Sequence, residues 1–287
     1  MQFDTHNKPD AFDVGMRYSS AYRERSCLEI WELYRKRYLE FKKFTKTTQN
    51  IPKKLHQIWL GSNLPDIYNP LIEKLRDLHP DWEYKLWTDR DVADFDFHNK
   101  DLFVKSKNFG QKSDILRYEI LNSFGGIYLD LDFIAIKPLD SLRALEAFAG
   151  IAYDSEPNLL NGVIGCIPNS RFSNNLINIK PEEKNSSAME IVKTTGPYFM
   201  SNILYQEIKL NPLCLALPNS YFYAFPNFPK DRTLGNNFES YLGPNSYACH
   251  LWHCSWLKIK PVKKSKKFFT LIQEWTRKKL KNQGARD

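Results

Sequence analysis

The chain has 287 residues, of which 42% are hydrophobic and 14% aromatic, and it contains little glycine and an ordinary share of proline. This composition excludes a disordered or collagen-like protein and indicates one large globular domain with helical additions. The net charge of +8 favours anionic partners, among them phosphate-bearing small molecules, nucleic acid and acidic membranes. Five cysteines without a C-x-x-C pair indicate reduced thiols. With a polar N-terminus and no long apolar run, the sequence predicts a cytoplasmic protein.

An amphipathic helix is predicted within residues 20–46. Its apolar residues recur at three-to-four spacing: Leu28, Trp31, Tyr34, Tyr38 and Phe41. We expect this helix to pack on the main domain, as part of an extension that covers residues 1–50.

Strand and helix patterns alternate over residues 51–257. The predicted strands are KLHQIWL (ending at Gly61), EYKLW, IYLDLDFIAI and segments near 148–153, 163–167, 215–217 and 247–251. The predicted helices are 70–78, capped by Asn69, then 89–94 and 110–124. Such alternation is typical of an α/β domain with a largely parallel sheet.

The chain contains three D-x-D pairs, Asp89/Asp91, Asp94/Asp96 and Asp130/Asp132. The first two flank a short predicted helix, where aspartate at a cap or in the first turn needs no functional explanation. The third follows Gly125 and Gly126, which are suited to stop a helix.

The alternating pattern of IYLDLDFIAI predicts that Asp130 and Asp132 share one face of a strand with Tyr128. Their backbones would then lie about 6.6 Å apart. Aspartate is depleted in strands, and two neighbouring carboxylates repel each other unless one keeps its proton. A divalent cation would remove that cost. The alternative is a strand end exposed to water.

Asp114 and Arg117 are three residues apart on the predicted helix before this strand. They form either an ordinary surface ion pair or a fixed carboxylate and guanidinium beside a phosphate-binding cleft. Further on, CHLWHCSW suggests zinc by composition, but its spacing is too compressed for one tetrahedral ion.

Three stretches together, IPKKLHQIWLG, HPDWEYKLWTD and FGQKSDILRYEILNSFGGIYLDLD, resemble the sugar-binding D-x-D region of glycosyltransferase family 32. That family includes yeast-type α-mannosyltransferases and bacterial capsule enzymes, and the core SDILRYEIL…GGIYLDLD is also similar to the catalytic domain of the large clostridial glucosylating toxins. The strong match covers residues 51–140, with weaker similarity to about residue 257.

This resemblance implies a GT-A (Rossmann-like) α/β fold, a UDP- or GDP-hexose donor, a saccharide or glycolipid acceptor and Mn²⁺ or Mg²⁺. It implies that Asp132 binds the metal, that Asp130 contacts ribose, sugar and metal, and that His250 or His253 completes the metal shell. Asp114 and Arg117 match residues that hold the donor sugar and the diphosphate. The same resemblance assigns further contacts with the nucleotide sugar: Trp59 (stacked on the base), Tyr128, Asn161, Ser255 and Trp256.

The implied reaction retains the anomeric configuration in polysaccharide or glycolipid synthesis, and no residue is assigned as catalytic base. The alternatives are a toxin-like enzyme that modifies a protein and a non-catalytic nucleotide-sugar-binding module. A glycoside hydrolase is disfavoured because its two carboxyl groups flank the scissile bond across a cleft. No nucleic-acid-binding motif is present.

The segment 258–287 is predicted as a basic C-terminal helix. Ten Lys or Arg residues lie between Lys258 and Lys281. Such a helix either contacts an anionic membrane from the cytoplasmic side or packs one face on the domain while the other is solvated.

Overall fold

The computed structural model describes residues 25–43, 48–152, 158–180, 187–225 and 238–253. The predicted basic helix at 258–287, together with Ser255 and Trp256, lies outside these residues.

The main sheet has six strands in the order β2-β1-β3-β6-β5-β7, and all but β6 run parallel. A separate two-stranded antiparallel sheet pairs β4 with β8. The strands are β1 (Lys54–Ile58), β2 (Glu83–Trp87), β3 (Gly126–Leu129), β4 (Phe133–Ala135), β5 (Ala147–Ile151), β6 (Leu159–Cys166), β7 (Cys214–Leu217) and β8 (Ala248–His250).

Helices cover the sheet and join most of its strands. They are α1 (Arg25–Lys42), α2 (Asn69–Asp77), α3 (Asp89–Asp94), α4 (Lys100–Lys105), α5 (Phe109–Phe124), α6 (Arg171–Ile177), α7 (Ala188–Thr194), α8 (Pro197–Leu210) and α9 (Asn219–Phe222). Short 3-10 turns occupy Asp66–Tyr68, Asp140–Ala144 and Phe238–Tyr241. The predicted α/β class with a largely parallel sheet is confirmed. Asn69 is the first residue of α2, and Tyr68 rather than Asn69 is its cap.

Helix α1 packs on the main domain through its aromatic face, as predicted. Trp31, Tyr34 and Tyr38 are buried. The Tyr38 hydroxyl lies 2.8 Å from that of Tyr221, in a hydrogen bond, and Arg37 Nε donates to the Ile208 carbonyl at 2.9 Å. The apolar area that these aromatic side chains bury stabilises a helix that would be only marginally stable in isolation.

Two glycines join α5 to β3. Gly125 has φ +60° and Gly126 has φ +100°, in the region that L side chains rarely adopt. A Cβ on Gly126 would also lie 2.6 Å from the Lys54 carbonyl oxygen. The double glycine therefore ends the helix, as predicted, and lets β3 begin directly beside β1.

The prediction of one continuous strand across IYLDLDFIAI is wrong. Strand β3 ends at Leu129, the Asp130 N–H donates to the Gly162 carbonyl at 2.8 Å, and the Phe133 N–H then closes a turn on the Asp130 carbonyl at 3.2 Å. The chain continues as β4 in the second sheet. Leu131 is buried within this turn, so the apolar alternation persists although the strand does not. Asp130 and Asp132 thus lie at the carboxyl end of a central parallel strand, where α/β sheets bind ligands.

Among the described residues, no helix combines the length and the apolar character needed to cross a bilayer. Cys166, Cys214 and Cys249 are buried free thiols.

Candidate active site

A cleft of about 450 Å³ opens at the carboxyl ends of β1 and β3. Its volume lies within the range of small-molecule sites, about 300–1,000 Å³. Its walls come from β1, α5, the β3–β4 turn, β6, the α7–α8 junction and β8. It brings together eight of the residues predicted from the sequence: Trp59, Asp114, Arg117, Tyr128, Asp130, Asp132, Asn161 and His250.

Asp130, Asp132 and His250 meet in this cleft. One ligand atom of each lies within 4.8 Å of those of the others. His250 Nε2 is 3.1 Å from Asp132 Oδ1 and 4.0 Å from Asp130 Oδ2. Strand β8 positions the imidazole, because Phe133 and His250 are paired in the register of β4 with β8.

The surroundings of Asp130 and Asp132 shift the pKa values of the two carboxyl groups in opposite directions. Burial would raise the pKa of Asp132, but His250 and the His253 backbone N–H, which donates to Oδ2 at 2.6 Å, hold it well below its usual range. Burial, together with the neighbouring Asp132 charge, raises the pKa of Asp130 despite the opposing effect of Arg117. The neighbours of Asp132 therefore stabilise its ionised form, whereas those of Asp130 on balance disfavour the ionised form of that carboxyl group.

Asp114 and Arg117 are both buried, so the surface ion-pair alternative is wrong. Arg117 Nη2 lies 3.3 Å from Asp114 Oδ1 and 3.4 Å from Asp130 Oδ1. Its Nη1 donates to the Asn161 carbonyl at 2.5 Å, and the guanidinium lies 4.5 Å from the centre of the Tyr128 ring. The arginine is a fixed cation that ties α5 to the D-x-D turn.

The side chain of Asn161 donates to Asp114 Oδ1 at 2.8 Å. Asn161 lies inside β6, because the strand begins at Leu159, four residues before the predicted start at 163. Burial raises the pKa of Asp114 to about 7, although Arg117 and Asn161 oppose the rise. This carboxyl group is therefore held by donors on two elements and changes charge near neutral pH.

Tyr128 and Trp59 line the cleft on either side of the pair. The Tyr128 hydroxyl donates to Asp130 Oδ1 at 2.6 Å. Trp59 directly follows β1, its Nε1 donates to the Asn63 carbonyl at 3.2 Å, and its ring packs against Tyr68 at 5.3 Å. The indole is only half-buried, which leaves it able to contact a flat ligand.

His253 approaches Asp132 through its backbone and not as a member of the Asp130–Asp132–His250 group. Trp252, at φ +56°, supplies the bend that brings the N–H groups of Leu251 and His253 onto the Asp132 carbonyl and carboxylate. Ser255 and Trp256 follow immediately but lie outside the described residues. Cys249 is buried in β8 on the other strand face from His250.

The other two D-x-D pairs are helix-end features, as predicted. Asp91 accepts hydrogen bonds from the backbone and hydroxyl of Thr88 at 2.9 and 2.7 Å, which forms a capping box. Asp89 Oδ2 accepts from the Gly61 N–H at 2.7 Å. Neither belongs to a cluster of metal-ligand type among the described residues.

Sequence reasoning missed three residues that build the site. Gln57 donates to the Asp130 carbonyl at 3.4 Å and accepts from Tyr84 at 3.0 Å. Gly162 and Tyr223 line the cleft beside Asp130. No local pattern could have found them, because each reaches the site from a different strand or loop.

The donor set fits a hard divalent cation. Two carboxylates suit Mn²⁺ or Mg²⁺, which keep water or phosphate oxygens in their remaining positions, and the imidazole nitrogen is a ligand that Mn²⁺ accepts more readily than Mg²⁺. His250 Nε2 is the nitrogen that faces the carboxylates, and Nδ1 is buried without a hydrogen-bond partner among the described residues. Asp130, Asp132 and His250 are therefore the residues that would hold the ion.

Part of the chain that builds this site matches a known protein family. Residues 65–149 match the family model described as a glycosyltransferase sugar-binding region containing a DXD motif. That range includes Asp114, Arg117, Asp130 and Asp132. The predicted resemblance to the sugar-binding D-x-D region of glycosyltransferases is confirmed.

Two curated relatives are named for mannosyl transfer or synthesis of mannosyl phosphorylinositol ceramide. Mannosyl phosphorylinositol ceramide synthase SUR1 of Saccharomyces cerevisiae is 34% identical over 165 residues, which are 55% of this chain and 43% of the relative. Inositol phosphoceramide mannosyltransferase 2 of Schizosaccharomyces pombe is 31% identical over 213 residues, 71% of this chain and 58% of the relative. The chain thus spans about half the length of these relatives.

Among solved structures, the chain is similar to the catalytic domain of alpha-toxin from Clostridium novyi. The identity is 11% and the TM-score 0.48, over 71% of this chain and 84% of that chain.

Proposed function

We propose that this protein is a metal-dependent, retaining glycosyltransferase that moves a hexose from a nucleotide-diphosphate sugar to a glycolipid or saccharide acceptor. The observation that carries the proposal is the meeting of Asp130, Asp132 and His250 beside the buried Arg117, in a cleft at the end of β3. A cation site next to a fixed guanidinium suits a diphosphate, whose negative charge grows as the sugar leaves.

The role of each side chain in the site follows from its charge and its neighbours. Asp132, held ionised, and Asp130 would bind the divalent cation, which neutralises charge on the leaving diphosphate. Arg117 orients Asp114 and Asp130 and adds a second positive charge at the cleft wall. Asp114 and Asn161, bonded to each other, present polar edges to the donor sugar. We assign no catalytic base to the chain.

The relatives guide the proposal about the acceptor. Two of them are named inositol phosphoceramide mannosyltransferases. We therefore propose a glycolipid acceptor first and a saccharide second, with a UDP- or GDP-linked hexose as donor.

The proposal is tested by incubating the protein with UDP-glucose, UDP-galactose and GDP-mannose, with Mn²⁺, with Mg²⁺ and with EDTA. Release of the nucleoside diphosphate is measured, and the anomeric configuration of the transferred sugar is read by NMR. We expect turnover of one donor that depends on the cation. Failure of every donor to bind or turn over would refute the enzyme, and an inverted product would refute retention.

Asp132→Ala should reduce turnover at least about a hundredfold, because it removes the carboxylate that anchors the cation. Asp96→Ala is the matched control, since Asp96 is exposed and belongs to a D-x-D pair outside the cleft. Full activity of Asp132→Ala would show that the metal role is wrong even if the enzyme class stands.

A further inference from the structure

Tyr118 lies in the middle of α5 and is fully buried behind Asn161, which lines the cleft. The Tyr118 hydroxyl donates to the Thr195 carbonyl at 2.6 Å and lies 3.1 Å from Asn161 Nδ2. This one hydroxyl group therefore connects three elements that border the cleft: α5, the α7–α8 junction and β6.

The hydrogen bonds of Tyr118 have a fixed direction. A backbone carbonyl can only accept, so the single proton of the Tyr118 hydroxyl points to Thr195. Burial and the nearby Asp114 charge raise the pKa of Tyr118, so this proton stays in place. The Tyr118 oxygen is left as an acceptor, and the group of Asn161 that faces it must be the NH₂ group.

The same amide nitrogen serves a second acceptor. Asn161 Nδ2 donates to Asp114 Oδ1 at 2.8 Å, and Arg117, which can only donate, lies 3.3 Å from that oxygen. Asp114 Oδ1 is therefore an acceptor whether or not the carboxyl group is ionised. Both protons of the Asn161 amide are thus used within the protein, and Arg117 also donates to the backbone carbonyl of Asn161 at 2.5 Å.

The remaining polar atom of the side chain, Asn161 Oδ1, is left for a ligand. Asn161 lines the cleft with 6% of its surface accessible, and its Oδ1 is neither enclosed nor bonded to a donor within the described residues. A freely turning amide could offer either N–H or oxygen to a ligand, because its two ends differ little in shape. This amide can offer only the oxygen, and the matching ligand group is one that donates, such as a sugar hydroxyl.

We propose that Tyr118 is a positioning residue, which fixes the amide of Asn161 so that its oxygen accepts a hydrogen bond from one hydroxyl group of the transferred hexose. This inference rests on the proposed function and adds to it a residue that acts on the donor sugar through another side chain. An acceptor that is already held in place loses little conformational freedom on binding, whereas a freely turning amide presents the wrong end part of the time.

The first test compares the wild type, Tyr118→Phe, Asn161→Ala and the double variant. Binding of UDP-glucose, UDP-galactose, GDP-mannose, UDP and GDP is measured by calorimetry in the presence of Mn²⁺. Tyr118→Phe removes only the hydroxyl, and we expect it to bind the preferred nucleotide sugar about three- to tenfold more weakly, the effect of one hydrogen bond, and the matching nucleoside diphosphate unchanged. Because Tyr118 acts through Asn161, adding Tyr118→Phe to Asn161→Ala should cause no further loss of affinity.

The matched control is Tyr221→Phe, which also loses a buried, hydrogen-bonded hydroxyl, since that of Tyr221 lies 2.8 Å from that of Tyr38. Both variants should lose thermal stability, because each leaves a buried partner unpaired. Only Tyr118→Phe should also change the binding of the nucleotide sugar.

A second test reads the direction of the amide and does not depend on the folding of Tyr118→Phe. Deoxy and deoxyfluoro analogues of the preferred nucleotide sugar are bound to the wild type and to Asn161→Ala. The hydroxyl that Asn161 binds is the one whose deoxy analogue loses affinity for the wild type but not for Asn161→Ala. Fluorine cannot donate a hydrogen bond, so at that position the deoxyfluoro analogue should bind the wild type as weakly as the deoxy analogue.

Several outcomes would overturn the inference. Fluorine that restores the affinity lost by the deoxy analogue would show that the amide offers its N–H group. Unchanged nucleotide-sugar binding by Tyr118→Phe, equal weakening of nucleotide sugar and nucleoside diphosphate, or an undiminished further loss in the Asn161→Ala background would remove Tyr118 from this role. If the wild type binds no nucleotide sugar at all, the proposed function itself fails, which distinguishes that failure from the others.

Discussion

Replacing Arg117 by alanine should both destabilise the fold and abolish donor binding. The guanidinium lies within 3.4 Å of Asp114 and Asp130, and without it the buried Asp114 and the partly exposed Asp130 lose their shared partner. Breaking a buried ion pair from one side costs about 3–5 kcal/mol. The pKa of Asp114, already raised to about 7, would rise further. A carboxyl group whose folded-state pKa is raised makes the folded protein less stable as pH increases. The stability lost in Arg117→Ala should therefore be larger at pH 8 than at pH 6.

Urea unfolding of wild type, Arg117→Ala and the double variant Arg117→Ala/Asp114→Asn at both pH values measures this deficit. Adding Asp114→Asn should recover part of the loss, because it removes one uncompensated charge. Lys54→Ala is the control: Lys54, on β1, pairs with the exposed Glu83 on β2, and its loss should cost less than about 1 kcal/mol. A deficit of Arg117→Ala as small as that of Lys54→Ala, or one independent of pH, would refute the reasoning.

Two further predictions concern the pH dependence of stability and the C-terminal segment 258–287. Burial lowers the pKa of His56 to about 4 from 6.5 in the unfolded chain, so stability should fall by about 3 kcal/mol as pH decreases from 6.5 to 4. His56→Gln should flatten that slope in urea unfolding while the exposed His98→Gln leaves it unchanged, and an unaltered slope in His56→Gln would contradict the assignment. Deletion of 258–287 should reduce sedimentation with phosphatidylserine liposomes but not with phosphatidylcholine liposomes, and unaltered sedimentation would refute a membrane role.

Much of the site was predictable because its signals are local. The double glycine, the D-x-D pair and Asp114 and Arg117 lie within 19 residues of sequence, on a helix and the turn that follows β3. The capping box at Asp91 likewise distinguishes the helix-end pair Asp89/Asp91 from the pair in the cleft. The role of a residue at a helix end, in a glycine stop or in a short motif can be predicted from its neighbours in the sequence.

The break between β3 and β4 was not predictable from the pattern. Apolar alternation reports which residues are buried, and Leu131 is buried in a turn as it would be in a strand. The break in the strand does not separate Asp130 from Asp132, but it changes how they come together. The two residues meet through a tight turn and not as neighbours on one strand face.

The sequence by itself determined the class of the fold, the end of α5 and the identity of the acidic pair, because each depends on nearby residues. Only the tertiary structure decided that His250 joins the pair through its side chain and His253 through its backbone, and that Asn161, Gly162 and Tyr223 border the same carboxylates. These contacts span as many as 121 residues of chain. They depend on the packing of separate strands against one another, which no local periodicity encodes.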